Sequence, residues 1–124
     1  MASQSPVRAA FDRPGGESCG PARSRPIDLQ HLSRQTLGDR DIEREVLALF
    51  VQQALTAREE IGGAPVRERL RLAHALKGSA RGVGAFRIAD CLTELEGQPE
   101  DQGVLKQLAS LIDEVRSFIA AINR

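Results

Sequence analysis

Within the segment AHALKGSA, residues 73–80, three side-chain types stand together that could do chemistry: His74, Lys77 and Gly78. A neutral imidazole is a nucleophile. An ammonium three residues later attracts anionic oxygens, and a glycine leaves room where a second molecule has to come close. The set suits an anion, or an acidic protein surface, brought up against a reactive ring.

On a helical wheel at about 100° per residue, Val66, Leu70, Leu72, Ala73, Leu76, Ala80 and Val83 gather on one broad side, which is the expected core face. His74 falls off its centre, with Lys77, Gly78 and Arg81 following at i+3, i+4 and i+7, so all four are expected on the exposed flank. Glycine inside a helix costs roughly 1 kcal/mol relative to alanine, and an approaching partner is the reason to carry it here. From Arg69 to Ala89 the chain holds Arg69, Arg71, Lys77, Arg81 and Arg87 and no acid, which predicts a local positive field on this face. With the ring's reference pKa near 6.5, Lys77 and Arg81 further favour the neutral, nucleophilic imidazole. If the helix bearing His74 and the next one form a hairpin pivoting near Gly84, a residue about ten past the pivot faces the ring. Glu94 and Glu96 are the candidates to accept from Nδ1 and leave Nε2 free.

The run HALKGSA from His74 to Ala80, followed by Gly84-Ala85, Ile88, Cys91 and Leu95-Glu96, resembles the signature of histidine-containing phosphotransfer (HPt) domains of multistep phosphorelays, roughly H-x-L-K-G-[SA]-[SA] with a later Gly-Ala pair. The match has no gap, and the flanking helices extend the resemblance over about residues 27–122. It implies that His74 is the phospho-acceptor, through Nε2. It makes Lys77 an electrostatic aid to the phosphoryl group, Gly78 the gap that admits a receiver domain, and Ser79 the family's small position. Arg71 and Arg81 are further candidates for partner binding. The implied activity is that of a covalent phosphocarrier without kinase activity of its own. The group would be exchanged with receiver aspartates of response regulators and of a hybrid sensor histidine kinase, and any Mg²⁺ would be supplied by the receiver.

These residues need elements to hold them, and the punctuation is regular. A short helix is expected from Asp28 to about Leu37, stopped by Gly38. A second runs from about Asp39 to Ile61, with Ile42, Val46, Leu49, Phe50, Ala54, Ala57 and Ile61 as its apolar stripe and Gly62-Gly63 ending it. Pro65 opens the third, which carries His74 to about Val83. The fourth spans Ala85 to about Glu96. The last, from about Asp101 to Asn123, shows the cleanest stripe, Val104 to Ile122. The expected fold is all-α: an antiparallel up-down-up-down four-helix bundle with a short additional N-terminal helix, over residues 27–124. Residues 1–26 hold four of the six prolines and no apolar period, and are expected to be a flexible tail.

Composition narrows the classes. The 17 basic and 17 acidic side chains cancel, so no global charge recommends nucleic acid or a membrane surface. No apolar run reaches the roughly 20 residues of a membrane span. Cys19 and Cys91 form no ligand pair, which is consistent with reduced thiols and a cytoplasmic monomer, and no metal site is expected. Cys91 is expected to pack as a small hydrophobe, and His31 to be a surface or cap residue rather than a metal partner for His74. The stretch from Lys77 to Gly84 lacks the G-x-x-x-x-G-K-[ST] order of a phosphate loop, and no strand precedes it. A second reading stays open, a helical adaptor that binds acidic partner surfaces without covalent chemistry.

Overall fold

The computed structural model describes residues 25–123. Most of the expected N-terminal tail, together with Cys19, lies outside the described residues. Five helices follow in order: α1 (Leu29–Gln35), α2 (Arg40–Gly63), α3 (Val66–Val83), α4 (Phe86–Gly97) and α5 (Gln102–Ile122). Among the described residues there is no strand, and no helix is long and apolar enough to cross a membrane.

Three of the five starts are capped by an aspartate. Asp28, Asp39 and Asp101 precede α1, α2 and α5 in extended conformation, and their carboxylates accept from otherwise orphaned amides: His31 N at 3.1 Å, Asp41 N at 3.0 Å and Gly103 N at 2.8 Å. Pro65 stands one place before α3 rather than at its first helical position. Helix α2 runs through Gly62 and Gly63 to Ala64, because neither glycine adopts the left-handed conformation that would stop it.

Gly84 does adopt it, at φ +89°, and ends α3, with Ala85 N donating to Ala80 O at 2.8 Å. A Cβ there would lie 2.8 Å from the Asp28 carbonyl oxygen, and Asp28 N donates to Gly84 O at 2.9 Å. The turn between α3 and α4 is thereby seated directly on the start of α1, and only glycine fits both the dihedral and the contact.

The four long helices pack as a ring, α2 on α3, α3 on α4, α4 on α5 and α5 back on α2, with α1 against α3. Ile27, Leu32, Leu47, Ile61, Leu76, Ile88, Leu92, Leu95, Leu108 and Ile112 are fully enclosed. The α5 stripe holds from Val104 to Ile119, and Ile122 is exposed. The α2 stripe differs: Leu47, Phe50, Ala54, Ala57 and Ile61 are buried, while Ile42 and Leu49 are exposed. This helix is apolar on more than one face, and periodicity alone cannot tell which face meets its neighbours. Cys91 packs in the core, where burial pushes its thiol up to about 11, so it is inert.

Candidate functional site

Helix α3 is the rod on which the site is built. Ala73, Leu76, Ala80 and Val83 lock one side of it into the core, which leaves His74 on the outer flank with its side chain 78% exposed. Its ring Nδ1 lies 3.4 Å from Oε2 of Glu96, and the other oxygen of the same carboxylate, Oε1, accepts from Lys77 Nζ. One carboxylate at the end of α4 therefore bridges the two residues of α3 that the motif spaces three apart. When Nδ1 carries its proton toward Glu96, the Nε2 lone pair is left facing solvent.

Of the two expected orienting carboxylates, Glu96 is the one beside the ring. Glu94 stands beside Cys91, on a surface shared with Arg87, Asp90 and Gln107, and makes no contact with His74. Two residues along a helix are about 200° around it, so only one of the pair can face α3.

Lys77 departs from the expected open flank. Its side chain is 13% exposed, because it lies on the side of α3 that the end of α4 covers. The cationic face is changed in the same way. Arg71 pairs with Glu68 at 3.0 Å, and Arg87 pairs with Glu114 at 3.0 Å. Arg69 is buried. Among the described residues Arg81 makes no ion pair, and it is exposed one turn beyond Lys77. The acids absent from the stretch between Arg69 and Ala89 arrive from Glu68 and from α4 and α5, so the positive field shrinks to Arg81 and whatever Lys77 can share.

Gly78 is exposed, and a Cβ built there meets nothing within 4 Å. The glycine is therefore not required by packing inside this chain, and the bare backbone beside His74 faces outward. Ser79 is half-buried and turned back on its own helix, Oγ donating to Ala75 O at 3.4 Å. Next to this ledge a shallow groove between α2 and α3 is lined by Leu49, Gln52, Thr56, Leu72 and Ala75. Helical spacing puts Leu49 on the apolar stripe of α2, yet the structure leaves it 65% exposed.

Arg69, expected on the cationic face, is instead enclosed. It is 8% exposed, and its guanidinium donates to carbonyls alone: Nε to Ile61 O at 3.0 Å, Nη1 to Pro99 O at 2.6 Å and Nη2 to Ala64 O at 3.2 Å. A signal was present, since position 69 falls on the apolar side of the wheel, one turn before Ala73. His31 sits half-buried with its ring edge-on to Phe86, centroids 5.1 Å apart, far from any role as an exposed nucleophile. Among the described residues no group of three His, Cys, Asp or Glu could hold a metal ion.

A family model described as Hpt domain matches residues 45–120, a span that takes in α3, α4 and every residue of this site. The chain belongs to the Hpt family. Hpt domains serve phosphotransfer in two-component systems as phosphocarriers rather than enzymes, and they interact with receiver domains. No curated protein and no solved structure matches this Hpt chain.

The Lys77 contact and, to a smaller degree, His74 hold the Glu96 carboxyl below the usual carboxylate range, against the opposing effect of partial burial. A carboxyl depressed by folding contributes stability that is complete above its unfolded pKa, near 4.3, and is lost as pH falls through the lower folded value. Thermal midpoints recorded between pH 6 and pH 3 should therefore fall less in Glu96→Gln than in the wild type, the gap between the two curves staying constant above about pH 4.5 and narrowing below it. Parallel curves would mean that the Lys77 contact does not persist in solution.

Proposed function

We propose that this Hpt domain accepts a phosphoryl group on Nε2 of His74 from a receiver aspartate and passes it to, or drains it from, a response regulator. The observation that carries the proposal is the exposed ring whose Nδ1 faces a carboxylate already anchored by a lysine. In the transfer the P–O bond of the aspartyl phosphate breaks, its electron pair returns to the aspartate, and the Nε2 lone pair forms the new P–N bond. Nδ1 keeps its proton, so positive charge develops on the ring, and Glu96 stands where it stabilises that charge. Because the transition state is loose, alignment and electrostatics are the main contributions a protein can make. A stiff helix face supplies the alignment.

Lys77 turns from Glu96 toward the phosphoryl oxygens once they arrive, and Arg81, exposed and without an ion pair among the described residues, is a second cation one turn further along α3. The receiver approaches over Gly78 and lays an apolar surface along Leu49, Leu72 and Ala75. It brings its own acidic pocket and Mg²⁺, and in one direction of flow it belongs to a hybrid sensor kinase. The chain itself has no kinase activity, and it acts as a cytoplasmic monomer with its long helices running up-down-up-down. The adaptor reading has less support: Arg69, Arg71, Lys77 and Arg87 are engaged within the chain, which leaves little free charge to hold an acidic surface.

The test is incubation with a receiver labelled on its aspartate. Acid-labile, base-stable label appearing on the Hpt chain supports the proposal. Receiver binding with no label transferred would favour the adaptor.

A further inference from the structure

Helix α4 ends at Gly97, one residue after Glu96; Gln98 N closes its last turn by donating to Glu94 O at 3.0 Å and Leu95 O at 3.1 Å, and beyond that the regular backbone ladder stops. The carboxylate that faces His74 thus stands on the part of α4 most prone to fray. Lys77 cannot set its position, because a four-carbon stem follows the carboxylate wherever the helix end moves. Something stiffer is required.

Arg69 supplies it. Its rigid fork is buried and spends its donors on the end of α2 at Ile61 O and Gly62 O, on the following turn at Ala64 O, and on Pro99 O, three residues past Glu96. No carboxylate meets it among the described residues, so the carbonyls alone compensate its charge, and their negative ends converge because α2 terminates there. Arg69 also lies on α3, five residues before His74. The rod that carries the imidazole is in this way tied directly to the loop that follows Glu96, by a 2.6 Å bond.

We propose that Arg69 is a positioning residue for the phosphoryl-accepting site: by holding the Pro99 carbonyl it fixes where α4 ends, and so where the Glu96 carboxylate stands relative to His74 and Lys77. This deepens the function proposed above and rests on it for the consequence in transfer, while the effect on the ring itself can be measured without any phosphate. With the tie cut, Glu96 samples positions out of reach of Nδ1, and the ring loses its preference for the tautomer with a free Nε2.

The experiment compares wild type, Arg69→Lys, Arg69→Met, Glu96→Gln and the double variant Arg69→Met/Glu96→Gln. Long-range ¹H–¹⁵N spectra of the unphosphorylated proteins above pH 8 read the His74 tautomer, and phosphoramidate, a small donor needing no receiver, reads the labelling rate of the ring. Arg69→Met should move the tautomer ratio to that of Glu96→Gln and slow labelling about tenfold, within the range that a misplacement of about 1 Å produces. The double variant should be no slower than Glu96→Gln alone, since Arg69 acts through that carboxylate. Arg69→Lys, which keeps the charge and fewer of the carbonyl bonds, should fall between wild type and Arg69→Met.

A wild-type tautomer and rate in folded Arg69→Met would overturn the proposal, as would losses that add in the double variant; these are the signs of a merely structural arginine. Where Arg69→Met does not fold, Arg69→Lys decides: a tautomer ratio unchanged from wild type overturns the proposal, and one displaced toward Glu96→Gln supports it. Failure of wild-type protein to take label would refute the phosphocarrier reading and leave the tautomer comparison to judge Arg69 by itself.

Discussion

A His74→Gln protein is expected to bind a phosphorylated receiver as the wild type does and to take no phosphoryl group from it. The loss in transfer should exceed about 10³-fold, because removing the atom that forms the new bond leaves only binding. Folding should be nearly untouched. The ring is 78% exposed, and exposed substitutions generally stay within about 0.5 kcal/mol. Nor is a buried charge orphaned, since Glu96 keeps Lys77. The chain holds only two histidines, and the other, His31, is packed against Phe86, so residual label has no second exposed imidazole to occupy. Filter-bound label after acid and base treatment, set beside receiver affinity and the melting midpoint, checks all three statements. Equal labelling of the two proteins would remove His74 as the acceptor.

The second large effect is expected at Gly78, and there stability and function should move in opposite directions. Leucine in place of this glycine gains roughly 0.5–1 kcal/mol of helix propensity, and beyond the adjoining backbone of α3 its Cβ meets nothing within 4 Å. The variant should therefore melt at or above the wild-type temperature. Transfer from a phosphorylated receiver should nonetheless fall by about 10²-fold, because the side chain occupies the space over which the receiver must bring its aspartate into line with Nε2. Labelling by phosphoramidate, which needs no such clearance, should change little. The contrast between the two donors is the measurement that matters: equal slowing with both would mean that leucine disturbs the ring rather than the docking, and unchanged transfer from the receiver would mean that the ledge is not the approach.

At about 100° per residue Lys77 lies between Leu70 and Ala73, inside the apolar arc of α3, so its burial is already written in the wheel that groups it with His74 on the flank. What an isolated helix does not show is that Glu96, at the end of α4, lies over it. The same blindness produced the supposed acid-free face. Charges within one helix were visible, while Glu96 and Glu114 lie 19 and 27 residues from the cations they meet. Leu49 was misplaced for a related reason. An apolar residue at helical spacing is equally consistent with a core and with a surface kept apolar for a partner, and the wheel does not say which face of α2 its neighbours cover.

What the amino-acid sequence determined alone was local. It set where helices begin, through Asp28, Asp39 and Asp101, and where α3 must stop, through Gly84. It also carried the apolar stripe of α5 and the spacing of His74, Lys77 and Gly78 along α3. These follow from backbone geometry and side-chain reach within a few residues, which are properties of the chain before it folds. The tertiary structure decided which of two carboxylates reaches the ring, which cations remain free, and that Arg69 is an internal tie rather than part of a surface. Each of those depends on the rotation and end point of one helix against another, and those are set by how the whole core packs.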